Sequence, residues 1–168
     1  MDPFTDQASE RRDGLRSRQR AAALNLYFDT SALVKLVVDE PGTEWTVGLW
    51  HDFPKKVAGR LAYVETHAAL AAAERGGRVS PEQAARARSE FESAWKELTI
   101  IDAGDDVVRS AAALAGRKSL RGYDAVHLAS ALATSRQRGD TLMITWDAKL
   151  AEASVAEGIS VVRTTRLD

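Results

Sequence analysis

A short apolar run, Leu24-Asn25-Leu26-Tyr27-Phe28, breaks off at Asp29-Thr30-Ser31, and an apolar-periodic segment follows at once. The run is aliphatic and aromatic and too short for a helix, which predicts a buried strand. Leu33, Leu36 and Val37 recur at helical spacing, so the next element is a helix, ending near Pro41-Gly42. Asp29 then stands at the carboxyl end of a strand and the amino end of a helix. That is the edge at which open α/β sheets bind ligands. The same position also suits a helix cap whose side chain merely accepts a backbone N–H. Chemistry at Asp29 requires other carboxylates to reach the same edge.

The rest of the chain alternates strand-like and helix-like pieces. Helices are expected over Gly42–Phe53, Arg60–Glu74, Ser80 to Leu98, Asp105–Lys118, Asp124–Arg138 and Asp147–Glu157. Ser80-Pro81-Glu82-Gln83 reads as a capped start, with Pro81 at the first position and Gln83 completing a capping box. Strands are expected over Lys56–Ala58, Leu98–Ile101, Thr141–Thr145 and Ile159–Arg163. Strands separated by helices imply βαβ units and a three-layer α/β/α domain with a central, mainly parallel sheet. Residues 1–22 are polar, arginine-rich and without apolar periodicity, and read as an extension that could be partly a cloning remnant. The domain is expected over 23–168.

At 168 residues and 45% hydrophobic content, the chain suits a single core-forming domain. The absence of cysteine excludes disulfides and thiolate metal sites. Three histidines without an HxxxH pair argue against a zinc enzyme. No run is long and apolar enough to cross a membrane, and no secretory pattern is present, so the expected location is cytoplasmic. The net charge of −1 provides no overall attraction for nucleic acid, so an RNA partner would need a local basic patch or bound metal.

Asp147 repeats the Asp29 arrangement, in Ile144-Thr145-Trp146-Asp147-Ala148-Lys149-Leu150, with a hydroxyl two residues before the acid. Asp124 opens the segment Asp124-Ala125-Val126-His127-Leu128-Ala129. Each of the three also suits an N-cap. Glu65 has no such alternative: it lies mid-helix among Leu61, Ala62, Ala68, Ala69 and Ala72, expected to face the core, where an ionised carboxylate is costly unless paired or metal-bound. An ion pair with Arg60 is the structural alternative. Oxygen-only ligands suit Mg2+, or Mn2+ in its place.

Phe28-Asp29-Thr30-Ser31-Ala32-Leu33-Val34-Lys35-Leu36, Glu65 on an alanine-rich helix, Tyr123-Asp124-Ala125-Val126-His127-Leu128-Ala129 and Thr145-Trp146-Asp147-Ala148-Lys149-Leu150 occur in that order. This resembles the PIN-domain ribonucleases, and within them the VapC toxins of toxin–antitoxin pairs. The segment Val38-Asp39-Glu40-Pro41-Gly42-Thr43-Glu44 is similar to VapC as well. The resemblance covers about Leu24 to Arg163. It implies a PIN-like fold and a Mg2+-dependent endoribonuclease that leaves a 3′-hydroxyl and a 5′-phosphate. Asp29, Glu65, Asp124 and Asp147 would be the catalytic, metal-holding quartet, with Thr30, Ser31 and Thr145 as supporting polar residues. It also implies an RNA substrate, a VapB-like antitoxin received near Leu33, Leu36, Val37, Trp45, Leu49 and Trp50, and a homodimer. One departure is that no acid follows Asp147 until Glu152, where the family often carries a further acid close to the fourth.

Arg60, Lys118, Arg121 and Lys149 neighbour the acid motifs and are candidates for phosphate contacts, and Trp146 for stacking on a base. Surface charge balance and core packing explain the same residues without substrate. His127 could orient substrate, but it reads first as a hydrogen-bonded structural histidine. Two rival functions place acids at strand ends. A phosphoryl-acceptor or phosphatase domain wants a second acid where Ser31 stands. A non-catalytic binding module leaves four acids without a purpose.

Overall fold

The computed structural model describes residues 22–162. Strand β1 (Asn25–Phe28) is buried along its whole length. It lies between β2 (Lys56–Gly59) and β4 (Thr141–Ile144), and the edge strands are β3 (Thr99–Ile101) and β5 (Ser160–Val162). The sheet order is β3-β2-β1-β4-β5, and every pairing is parallel. The chain lays β1, β2 and β3 outward in one direction, then crosses back to set β4 against β1. The order therefore reverses between β1 and β4, the crevice where open sheets carry their sites. Phe28 is in register with Ile144, so β1 and β4 deliver Asp29 and Thr145 side by side.

Seven helices flank the sheet among the described residues: α1 (Thr30–Lys35), α2 (Thr43–Asp52), α3 (Leu61–Arg75), α4 (Pro81–Trp95), α5 (Asp105–Lys118), α6 (Gly122–Arg138) and α7 (Ala148–Ala156). Alternation along the strands separates them into two layers. Leu26, Phe28, Ala58 and Ile144 point into one core with Leu33 of α1, Trp50 of α2, Ala62 of α3 and Phe91 of α4. Tyr27, Val57 and Met143 point the other way, into a core with Leu114 of α5, Leu128 of α6 and Leu150 of α7. The three-layer α/β/α architecture is the one the alternating pattern predicts. The capping box also forms, with Ser80 accepting from Gln83 N and the Gln83 side chain accepting from Ser80 N.

Two boundaries differ from expectation. The first helix ends at Lys35 rather than near Pro41-Gly42. The Lys35 ammonium turns back to donate to Glu40 Oε1 at 2.7 Å and to the Pro41 carbonyl at 2.8 Å, and Thr43 Oγ1 donates to the Val38 carbonyl at 3.0 Å. These bonds close residues 36–42 into a turn, and Pro41 cannot extend a helix. Helix α6 starts at Gly122, two residues before Asp124. The expected extension over 1–22 lies outside the described residues except for Ala22, and so does Arg163.

The turn ends at Gly42, whose φ of +99° lies in the left-handed region. A Cβ there would stand 2.8 Å from the Trp146 ring, so strain and overlap act together. Gly42→Ala is expected to lower unfolding free energy by about 1–3 kcal/mol in urea denaturation. An unchanged midpoint would show that the turn and the ring are not coupled.

Candidate active site

Asp29 is buried and fully engaged at the end of β1. Its Oδ1 accepts from Ala32 N at 2.9 Å, which caps α1, and from Ser31 Oγ at 2.7 Å. Its Oδ2 accepts from Thr145 Oγ1 at 2.6 Å, across the β1–β4 junction. Ser31 Oγ in turn accepts from Trp146 N at 2.9 Å, and Thr145 Oγ1 from Asp147 N at 3.0 Å. Each hydroxyl thus donates to Asp29 and accepts from the backbone that follows β4. Asp147 caps α7 by accepting from Leu150 N at 2.8 Å. Capping and convergence coincide at Asp29 and Asp147, because a helix amino end favours negative charge.

Asp124 is not a cap. Arg121 occupies the cap position without a side-chain bond, and Asp124 stands in the first turn of α6. Burial raises its carboxyl above the usual range, and the negative charges of Asp147 and Glu65 add to the rise, against the pull of His127 and Arg121. Asp124 therefore senses two of the other three acids.

Glu65 reaches the site from α3 and sits at the margin of the core. The buried stripe of α3 is Ala62, Thr66, Leu70 and Ala73; of the expected core-facing set Ala62 is buried, Leu61 and Ala69 are half-buried, and Ala68 and Ala72 are exposed. The Glu65 side chain keeps 21% of its exposure. Its Oε2 accepts from Thr30 Oγ1 at 2.8 Å and lies 2.8 Å from His127 Nε2. Burial works to raise this carboxyl, but the contacts with His127 and Thr30 outweigh it and bring it below the usual range. Arg60, the alternative partner, instead pairs with Asp102 at 2.7 Å.

The other candidates separate into engaged and available groups. Lys118 pairs with Glu157 at 3.0 Å. Arg121 and Lys149 are exposed and form no ion pair among the described residues. The Trp146 ring meets Trp45 edge-on at 5.6 Å between centroids, has the Lys35 ammonium 5.0 Å from its centroid, and packs against the core beneath α1 and α2. That packing holds Trp146 in place as a wedge beside the acids. From the sequence Tyr27 is only part of a buried strand. Its hydroxyl lies 3.1 Å from His127 Nδ1, and a tyrosine in a buried strand does signal a hidden polar partner.

Among the described residues no three acidic or histidine side chains are close enough to ligate one ion directly. The donor chemistry still fits a hard divalent cation. Asp29, Asp124 and Asp147 form no ion pair among the described residues, and Asp124 carries the repulsion of its neighbours. Mg2+ retains waters and needs only one or two carboxylates as direct ligands.

The PIN domain profile matches residues 26–156, spanning all these positions. The chain belongs to the PIN-domain family. Within that family it is 38% identical over 138 residues to Ribonuclease VapC45 of Mycobacterium tuberculosis (strain CDC 1551 / Oshkosh), covering 81% of this chain and 93% of the relative. The same figures hold for Ribonuclease VapC49 of Mycobacterium tuberculosis (strain ATCC 25618 / H37Rv). Two solved structures share the fold. PAE2754 from Pyrobaculum aerophilum superposes with a TM-score of 0.60 at 20% identity, covering 84% of this chain and 87% of that one. A toxin-antitoxin complex from Klebsiella pneumoniae gives 0.57 at 21% identity, covering 83% and 97%. The resemblance to PIN-domain VapC ribonucleases drawn from the four motifs is thereby established.

Burial is the largest influence on the Asp29 carboxyl and raises it, with His127, Thr145, Ser31 and Ala32 N pulling the other way. The folded chain therefore holds this proton more tightly than the unfolded chain does. The resulting stability is complete below the ordinary carboxyl pKa and is lost as pH rises through the raised value. Asp29→Asn stays uncharged, so in metal-free buffer it is expected to melt above the wild type at pH 7, with the gap closing on acidification. Melting below the wild type at pH 7 would show that burial is not the dominant influence.

Proposed function

We propose that this protein is a divalent-metal-dependent endoribonuclease that hydrolyses RNA phosphodiester bonds at the β1–β4 crevice and acts as the toxin of a toxin–antitoxin pair. The observation that carries the reading is the Thr145 hydroxyl, which bonds both the Asp29 carboxylate and the Asp147 backbone N–H, beside an Asp124 that carries the repulsion of Asp147 and Glu65; among the described residues no lysine or arginine forms an ion pair with the three aspartates. Mg2+, or Mn2+ in its place, would be held by Asp29, Asp124 and Asp147 with Glu65 beside them. Such an ion supplies an activated water and charge stabilisation for the leaving oxygen.

The chain's own residues supply positioning. Ser31 and Thr145 fix both oxygens of Asp29. Thr30 and His127 hold Glu65, kept in its anionic form, where it can accept a hydrogen bond from the attacking water. Arg121 and Lys149 are the side chains suited to the RNA phosphates. Arg60 and Lys118 would first have to leave Asp102 and Glu157.

A VapB-like antitoxin belongs to the same proposal. The curated relatives bear the VapC name, and a groove of about 400 Å³ runs between Leu36, Val37 and Trp50 on one side and Ala94 on the other. A homodimer rests on the family resemblance alone. A cytoplasmic location goes with an RNA substrate.

The test is cleavage of total RNA with and without EDTA. Chelation is expected to stop cleavage and added Mg2+ to restore it. Asp29→Asn, Asp124→Asn and Asp147→Asn are expected to lower the rate by on the order of 10²–10³-fold, and Glu65→Gln to lower it less. Metal-dependent cleavage at the wild-type rate by Asp29→Asn would overturn the assignment.

A further inference from the structure

Behind Glu65 a buried polar chain runs into the sheet. His127, on α6, is buried, and both ring nitrogens have partners. Nε2 lies 2.8 Å from Glu65 Oε2 and 3.2 Å from Thr30 Oγ1, and Nδ1 lies 3.1 Å from the Tyr27 hydroxyl. Tyr27 is itself wholly buried in β1. Its hydroxyl fits only because residue 59 has no side chain: a Cβ on Gly59 would stand 2.7 Å from it.

Donor and acceptor counting decides the direction of these bonds. An ionised carboxylate only accepts, so Nε2 carries the hydrogen facing Glu65. Among the described residues, His127 Nδ1 is the one hydrogen-bond partner of the Tyr27 hydroxyl. Ser130 Oγ, also buried, has no hydrogen-bond partner among the described residues, the Tyr27 hydroxyl included. A buried hydroxyl proton needs an acceptor, and Nδ1 is the one within reach. An Nδ1–H would leave that proton without an acceptor among the described residues.

We propose that His127 is a positioning residue for Glu65: the hydrogen bond from Tyr27 holds the imidazole as its Nε2–H tautomer, and that N–H, with the Thr30 hydroxyl, aims the carboxylate into the site. The strand that delivers Asp29 thus also sets the fourth acid, through the residue two before it. Sheet, α1, α3 and α6 meet in one hydrogen-bonded unit. Its kinetic consequences rest on the nuclease reading, whereas the tautomer does not.

The test has two arms on the full chain. In the first, two-bond ¹H–¹⁵N spectra of histidine-labelled protein are recorded without metal. The wild type is expected to show a pyrrole-type Nε2 and a pyridine-type Nδ1 for His127, and Tyr27→Phe to lose that single pattern. An Nδ1–H tautomer, a doubly protonated ring, or an unchanged pattern in Tyr27→Phe would overturn the proposal. In the second arm, kcat and KM for RNA are measured. Tyr27→Phe and His127→Leu are expected to lower kcat by about 10- to 100-fold with KM unchanged. His127→Gln, whose amide N–H can take the Nε2 place, is expected to recover most of the loss. Wild-type kcat in Tyr27→Phe would overturn the proposal, and so would a His127→Gln variant no better than His127→Leu once both are shown folded by circular dichroism. If the wild type cleaves no RNA, the nuclease reading fails, and the spectra alone decide the tautomer.

Discussion

Two hydroxyl groups stitch the ends of β1 and β4 together, and the arrangement of the acids follows from them. Ser31 and Thr145 each give a proton to Asp29 and each take one from the backbone beyond β4. Parallel register brings the two strand ends level, but register alone leaves a pair of loops free to splay. The reciprocal bonds remove that freedom. They also satisfy a carboxylate that would otherwise be costly at such depth. Valine in place of Thr145 would keep the shape and leave both Asp29 Oδ2 and Asp147 N without this partner.

The two layers of the domain contribute different parts of the site. The layer of α1, α2, α3 and α4 supplies Glu65, Thr30 and the Trp146 wedge. The layer of α5, α6 and α7 supplies Asp124 and His127. The sheet is the common reference, because Leu26 and Phe28 anchor one layer while Tyr27 anchors the other. A shift of either layer would change the distance of Glu65 or Asp124 from Asp29, so packing quality in both cores bears directly on the acids.

Much of this was legible in the sequence, for physical reasons. Strand-then-acid junctions are local, and Asp29 and Asp147 lie where the pattern of Phe28-Asp29-Thr30 and Ile144-Thr145-Trp146-Asp147 places them. Helices with strong punctuation, such as the one opened by Ser80 and Pro81, were equally plain. Features set by tertiary contacts were not. The first helix was read too long because nothing in the sequence says that Lys35 folds back onto Glu40 and Pro41. An alanine-rich helix carries too little periodicity to define its buried face: Ala62 is inside as the sequence predicts, but Thr66 joins it while Ala68 and Ala72 face solvent. The cap that the sequence also allows at Asp124 is not formed, because Gly122 already belongs to the helix and nothing local to it says so. The link from Tyr27 to His127 spans 100 residues, beyond the reach of any pattern read along the chain.

Among the described residues the sheet's outermost strands, β3 and β5, are three residues long each. A peptide or second molecule that sought to extend the sheet there would gain few backbone bonds, and brief edges of this kind discourage such annealing. Recognition by other macromolecules is thereby steered away from strand addition and onto helical faces and the grooves between them. The short edge at β3 likewise offers other copies of the chain little template for strand-to-strand aggregation.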